Sequence, residues 1–345
     1  MHAAVRARNR GFCGHDPANR VGKDVEVSRT VRFGALTLCG VLLASTALVA
    51  EPVMTSPQTR PTFKAGVSRV TVGVTVRTKR GRQVTDLDAT DFSLFDSGEA
   101  RPILDFRRDA SPLTVSLLVD FSGSMDVAVR RDAAAEITKH LFTWMIPDDD
   151  RVNLLTFDKR LQQVQPMTRP SDEIIVQMKN LRPYGQTSLF DAIAEAGKNL
   201  AATGASRRAV IALSDGADNA SRLTPSEVSG IASSIDVPVY IVIVVSPLDQ
   251  NSKSSSVNEP QLDAMMAGRL GDLARWTGGD IYAPVGPQET SAAAKQIITE
   301  LRNQYLIAFE PGARPGWHPI DLRTRDRDHV VRARTGYFVT GPSRP

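Results

Sequence analysis

The chain has 345 residues, 41% hydrophobic and 23% charged, enough for one large globular domain and a smaller companion. Its net charge of +4 invites a nucleic-acid partner, but the charge sits at the ends: residues 1–32 carry seven Lys/Arg against three Asp/Glu, and residues 313–345 seven Arg against three Asp, leaving the middle acidic. No basic stretch interleaved with aromatics occurs in that middle, which excludes nucleic acid as the favoured partner, and both cysteines, Cys13 and Cys39, fall near the start, which excludes a disulfide or thiolate metal site beyond it.

Residues 33–50 (FGALTLCGVLLASTALVA) contain no charge and follow Arg29 and Arg32, the pattern of a signal peptide or signal anchor. Small residues at Ser45-Thr46-Ala47 suit cleavage. Leu38 stands where a lipobox needs a small residue, which argues against lipidation of Cys39. The expected location is therefore across the bacterial inner membrane: periplasmic, secreted, or anchored by this segment, with membrane contact only through residues 33–50 if they are retained. Residues 1–32 form a basic leader, explained equally by a cytoplasmic tail or by a start downstream of Met1. Residues 51–63, with Pro52, Pro57 and Pro61, read as a linker.

A small N-terminal β unit is expected over residues 64–110. Residues 67–76 (VSRVTVGVTV) alternate apolar and polar, a turn follows at Arg80-Gly81-Arg82, and Phe92-Ser93-Leu94-Phe95 ends at Asp96-Ser97-Gly98, together a hairpin signal. Residues 88–92 suit a helical turn.

Residues 111–310 alternate strand and helix, which predicts a doubly wound, mostly parallel, Rossmann-like α/β sheet. Residues 113–119 form an almost unbroken apolar run, the mark of a strand buried on both faces. Val129, Ala133, Ile137, Leu141, Trp144 and Met145 follow at helical spacing. Further strands are expected at 152–157, 162–167 (an antiparallel edge), 210–213, 239–245, 280–283 and 305–309, with helices at 172–181, 188–200, 262–276 and 290–303. Thr224-Pro225-Ser226-Glu227 opens another helix with a capping box. Residues 246–260 (SPLDQNSKSSSVNEP) are polar and long for a βα loop, equally a solvated insertion or a binding loop. Residues 311–345 suggest a C-terminal hairpin and tail from two alternating runs, 318–323 and 329–334, whose arginines share one face read as solvated; the hairpin is expected to pair with the N-terminal β unit.

Three segments carry the chemistry. Asp120-x-Ser122-x-Ser124 follows the first buried strand, Gly185-Gln186-Thr187-Ser188-Leu189 precedes a helix, and Ser214-Asp215-Gly216 ends another buried strand. Asp120, Ser122 and Ser124 alternate, so an extended loop turns three hard oxygen donors to one side, the kind that Mg²⁺, Mn²⁺ or Ca²⁺ prefers. In open α/β sheets ligands collect at the carboxyl ends of strands, where Asp120 and Asp215 stand. An aspartyl-phosphatase reading of Asp120 lacks a second carboxylate two residues on, where Ser122 stands, and lacks a following lysine. A zinc or serine hydrolase lacks a histidine cluster or partner, the five histidines being scattered.

In order and spacing, Asp120, Ser122, Ser124, Thr187 and Asp215 resemble the metal-ion-dependent adhesion site of the von Willebrand factor A domain family. Arg207-Arg208-Ala209-Val210-Ile211, Trp276-Thr277-Gly278-Gly279, Leu301-Arg302-Asn303-Gln304-Tyr305 and Arg334-Thr335-Gly336-Tyr337 extend the likeness, over about residues 64–339, to exported bacterial A-domain proteins numerous in Acidobacteria. The resemblance implies that Ser122, Ser124 and Thr187 supply hydroxyl ligands, and that Asp120 and Asp215 bind directly or through water. It also implies Mg²⁺ first, with Mn²⁺ or Ca²⁺ as alternatives, a partner protein supplying an Asp or Glu carboxylate, and no catalysis. The alternative is an A domain that assembles through its β extension or the tail arginines without metal.

Overall fold

A computed structural model of the chain describes residues 69–108, 110–126, 128–234, 236–245, 264 and 268–339. The leader, the 33–50 segment, the 51–63 linker and the polar 246–260 stretch lie outside the described residues. The chain divides after Phe63, and everything described belongs to the unit Lys64–Pro345. Among the described residues no helix is long and apolar enough to cross a membrane.

Strand β1 (Val70–Thr78) alternates as its sequence requires, burying Val72, Val74 and Val76. A 3-10 turn at Ala89–Asp91 is capped by Asp88, whose carboxylate accepts from Thr90 N–H at 2.7 Å. It leads to β2 (Phe92–Asp96), β3 (Glu99–Arg101) and β4 (Ile103–Arg108). Ser97 and Gly98 have φ of 52° and 84°, the left-handed pair that a two-residue hairpin needs between β2 and β3.

Every residue of β5 (Leu113–Asp120) is buried. After it come α1 (Ala128–Trp144), β6 (Arg151–Phe157), β7 (Leu161–Thr168), α2 (Asp172–Asn180), α3 (Leu189–Ala201), β8 (Arg207–Ser214), α4 (Pro225–Ser234), β9 (Val239–Ile243), α5 (Arg269–Trp276), β10 (Ile281–Tyr282) and α6 (Gly286–Arg302). The sheet order is β10-β9-β8-β5-β6-β7, parallel throughout except for β7, which runs antiparallel to β6. Ile137, Leu141, Met178 and Ile297 of α1, α2 and α6 pack on one face, and Ile193, Val228 and Leu273 of α3, α4 and α5 on the other. The sheet is therefore doubly wound, as expected. The chain moves outward from β5 through β6 and β7, then restarts on the opposite side at β8. The carboxyl ends of β5 and β8 consequently flank the switch point of the sheet, where a crevice opens.

The remaining strands, β11 (Tyr305–Phe309), β12 (Gly316–Thr324), β13 (His329–Ala333) and β14 (Gly336–Val339), complete two four-stranded sheets ordered β13-β1-β11-β4 and β14-β12-β2-β3. One core containing Val74, Phe92, Leu94, Ile307, Phe309 and Tyr337 draws on both, so they form a sandwich. Three expectations are corrected here. Residues 305–309 do not extend the parallel sheet; β11 lies antiparallel between β1 and β4, where Tyr305 stacks 5.4 Å from Phe106. A short apolar run reads the same in either sheet, and only its neighbours decide. β1 and β2 do not form a hairpin with each other, and neither do the two tail runs: β12 pairs with β2 and β14, and β13 pairs with β1. Both ends of the unit nevertheless build one β layer.

The tail arginines are also not one solvated face. Arg323 is exposed, but Arg334 is buried and donates to the carbonyls of Ser233 and Thr71. Arg332, with its side chain 12% exposed, donates to Glu300 Oε2 at 2.6 Å and also pairs with Asp280. Glu300, 1% exposed in the last turn of α6, is also ion-paired with Arg77 Nη1 at 2.9 Å and accepts from Gln296 Nε2 at 3.1 Å, Tyr240 Oη at 3.3 Å and Tyr282 Oη at 3.4 Å. Burial raises its carboxyl above the usual range, with Arg332 and Arg77 opposing. This cluster ties β1 and β13 of the sandwich to the α/β layer.

A second buried carboxylate, Asp96 at 1% exposure, accepts from Tyr337 Oη at 2.9 Å and Gly312 N–H at 2.8 Å, and lies 2.8 Å from His318 Nδ1. The other imidazole nitrogen lies 2.6 Å from the Arg314 carbonyl. Two acceptors facing two nitrogens favour the doubly protonated ring. Burial opposes this charge, but the Arg314 carbonyl and Asp96 outweigh it and raise the His318 pKa. Burial likewise pushes Asp96 up, and the donors from His318, Gly312 and Tyr337 outweigh it, holding it below the usual carboxylate range.

Two outcomes follow for stability. Replacing Glu300 by Ala leaves Arg77 and Arg332 with Asp280 alone and is expected to cost about 3 kcal/mol in urea unfolding. The raised His318 pKa contributes stability that is complete below the free-histidine value and lost as pH rises through the folded value. The lowered Asp96 pKa contributes stability present above the free-carboxylate value and lost as pH falls through its folded value. The melting-temperature gap between wild type and His318→Gln is therefore expected to be widest between about pH 4 and 6.5 and to shrink towards pH 9.

Candidate metal centre

Asp120 is the last residue of β5 and 1% exposed. Its Oδ1 accepts from Ser122 N–H at 2.8 Å and its Oδ2 from Ser214 Oγ at 2.6 Å, so it bridges the ends of β5 and β8. Burial pushes its carboxyl up to about 6 against those two serines, and the neighbouring Asp215 charge adds to the rise. Two carboxylates are thus held close together in a buried place.

The loop after β5 folds back so that Ser122 Oγ and Ser124 Oγ lie 3.0 Å apart. Backbone bonds fasten it to the second segment: Gly123 N–H donates to the Gly185 carbonyl at 3.0 Å, and Tyr184 N–H to the Phe121 carbonyl at 2.7 Å. Gly185 has φ of 101°, which favours glycine, and a Cβ there would come within 3.3 Å of Asp158 Oδ2 and press on that side chain. Thr187 is held by its backbone, its N–H donating to Asn219 Oδ1 at 3.0 Å and its carbonyl accepting from Asn219 and Ala220 N–H. Asp215 Oδ1 accepts from Ala217 N–H at 3.1 Å. The three segments singled out in the sequence therefore meet through direct bonds at the switch point.

Sequence reasoning named Ser214 without a role and gave none to three other residues that build this place: Asn219, Asp158 and Arg130. Arg130 Nη1 donates to the Ser124 carbonyl at 2.7 Å and stands 3.4 Å from Asp215 Oδ2. Its signal was in the helical spacing, since Arg130, Ala134, Ile137 and Leu141 lie on the buried stripe of α1, whereas Val129 and Ala133 are only half-buried and Trp144 is 38% exposed.

The sequence profile described as the von Willebrand factor type A domain matches residues 115–217. The chain contains a von Willebrand factor type A domain. The match runs from within β5 to just past Asp215 and encloses all three segments. Among solved structures, an aerotolerance-related membrane protein from Bacteroides fragilis is 18% identical over 55% of this chain and 98% of that one, with a TM-score of 0.41. A von Willebrand factor type A protein from Catenulispora acidiphila is 13% identical over 81% and 76%, with a TM-score of 0.42. Manganese-loaded TRAP from Plasmodium vivax is 14% identical over 70% and 97%, with a TM-score of 0.40. No curated protein matches the chain in sequence.

Among the described residues no three His, Cys, Asp or Glu side chains gather as a metal site. What the A domain offers instead is two carboxylates and three hydroxyls, an all-oxygen set suited to hard cations. Asp120 also has work to do without any cation. Asp120→Ala strips the acceptors from Ser122 N–H and Ser214 Oγ, both buried, and is expected to destabilise the protein by about 2 kcal/mol in chelator-treated samples; Thr187→Val, which removes only a hydroxyl, is expected to cost less than half of that.

Proposed function

We propose that this chain is an exported, metal-ion-dependent protein-binding module. Asp120, Ser122, Ser124, Thr187 and Asp215 would hold a divalent cation, Mg²⁺ first and Mn²⁺ or Ca²⁺ as alternatives, and an Asp or Glu of a partner protein would complete its shell. The observation that carries this reading is the direct bonding of three loops that bring two carboxylates and three hydroxyls to the switch point of the sheet. Neutral hydroxyls leave a bound dication much of its charge, and Mg²⁺ demands six near-octahedral oxygens, so a carboxylate from outside is a good final ligand. Export rests on residues 33–50.

The surroundings favour an acidic partner. Lys159 and Arg160 follow Asp158, whose carbonyl accepts from Ser188 N–H at 2.9 Å, and Arg182 precedes Tyr184 on the second segment. Lys159, Arg160 and Arg182 are exposed, and among the described residues none of their side chains is in an ion pair. Asp126 is the exposed acid of the serine loop, and Asp158 is half-buried against Gly185. Tyr184 is 83% exposed beside Gly185, an amphipathic ring of the kind enriched in interface centres. Binding is favoured over catalysis because Ser122 and Ser124 bond each other, while His318 and His329 are engaged by Asp96 and Asp326 in the sandwich.

Titration calorimetry with Mg²⁺ and Mn²⁺ is expected to show binding to the wild type that weakens at least tenfold in Thr187→Val. Capture of envelope proteins by immobilised wild type is expected to be lost with EDTA and in the same variant. Equal heats for both proteins, with capture unchanged by EDTA, would reject the metal reading in favour of metal-independent assembly.

A further inference from the structure

Thr187 is 2% exposed, and both of its backbone polar groups are bonded by the loop that follows β8. Its N–H donates to Asn219 Oδ1 at 3.0 Å, and its carbonyl accepts from the N–H groups of Asn219 at 3.1 Å and Ala220 at 3.0 Å. The same loop closes the end of α3. Ser188, the N-cap residue, makes no side-chain cap bond, so the first-turn donors need other acceptors. Asp218 Oδ2 accepts from Phe190 N–H at 3.0 Å, and Ser221 Oγ accepts from Phe190 N–H at 3.0 Å and Asp191 N–H at 3.2 Å. The Asp191 carboxylate accepts in return from Arg222 N–H at 3.1 Å and Leu223 N–H at 2.9 Å. These bonds, between residues 28 to 32 positions apart, dock the helix on the loop and would be needed whatever the site does. The Asn219 side chain differs from them: it is exposed, and its oxygen accepts from Thr187, ahead of the helix.

Resting on the metal reading above, we propose that Asn219 is a positioning residue for the Thr187 hydroxyl, and that cation affinity depends on its side chain through Thr187. A hydroxyl is a neutral ligand, so its worth to a cation rests on its oxygen already standing where the shell needs it; a residue that must be ordered on binding weakens the bond. Asn219 Oδ1 holds the peptide plane on the amino side of Thr187, and the two N–H donors hold the plane on its carboxyl side. Both soft dihedrals of Thr187 are thereby fixed. Threonine is β-branched and stiff at χ1, so a fixed backbone restricts where its hydroxyl can stand. Asp215 opens the same loop, which ties the place of one ligand to that of the other.

The test uses the full chain as wild type, Asn219→Ala, Thr187→Val and the double variant. Mg²⁺ affinity is read by calorimetry and, for weak binders, from the rise of melting temperature over a Mg²⁺ series. Asn219 is exposed and the bonds to the Thr187 carbonyl survive its truncation, so Asn219→Ala is expected to melt within about 3 °C of wild type in EDTA. It is expected to bind Mg²⁺ about three- to tenfold more weakly than wild type, the effect of one hydrogen bond. In the Thr187→Val background the same change is expected to cost less than about twofold, because the hydroxyl it positions is gone. Unchanged Mg²⁺ affinity in Asn219→Ala overturns the positioning role and leaves the metal reading standing. So does an equal loss of affinity in both backgrounds, and so does a fall in melting temperature that is the same in EDTA and in excess Mg²⁺. A wild type with neither Mg²⁺ heat nor a Mg²⁺-dependent rise in melting temperature overturns both readings.

Discussion

The Glu300 carboxylate, buried at the last turn of α6, gathers the charged groups that join the sandwich to the parallel sheet. Arg77 comes to it from β1 and Arg332 from β13, while Tyr240 and Tyr282 reach it from the parallel sheet. A charge at that depth is tolerable only because every direction supplies a donor, and Asp280 balances the second arginine. Fixing the end of α6 has consequences along the chain. The helix leads straight into β11, the strand set between β1 and β4, and its Ala294 and Ile297 share a core with Ile137 and Leu141 of α1. α1 in turn carries Arg130 to the serine loop. An unbroken path of packed groups thus runs from the sandwich to the switch point.

The switch point works by the same rule of compensated charge, on a smaller scale. Asp120 is buried enough that its carboxyl rises to about 6, and it is retained through two serine donors. Asp215 faces Arg130. Backbone bonds join the loops, Gly123 to Gly185 and Thr187 to Asn219 and Ala220, while the hydroxyls of Ser122 and Ser124 bond each other.

Much of the fold was legible because burial leaves a period in the sequence. β5, β8 and β9 are buried at nearly every position and largely apolar, since helices cover both sides of their sheet, and the alternation of strands with helices carries the doubly wound order. The capping pairs were legible as well: Thr224 and Glu227 bond reciprocally as the spacing requires. Errors arose where a pattern says buried without saying against what. Residues 305–309 fit a parallel or an antiparallel neighbour equally well. The Arg332 and Arg334 positions alternate with apolar residues, as solvent-facing positions do, but a charged position on a strand faces water only if no acid is waiting behind it.

The sequence alone determined which oxygen-bearing side chains stand at and just beyond these strand ends. Asp120-x-Ser122-x-Ser124, Thr187 and Ser214-Asp215 are local: strand ends followed by small polar residues, whose donor types are readable without coordinates. Only tertiary structure decided that these segments touch, that Ser214 and Asn219 hold them, and that a positive charge from α1 stands beside Asp215. Those relations join residues up to 94 positions apart, from Asp120 to Ser214. Contacts between distant segments depend on how helices and strands pack, and side-chain period along one element carries no record of which charge lies across from it.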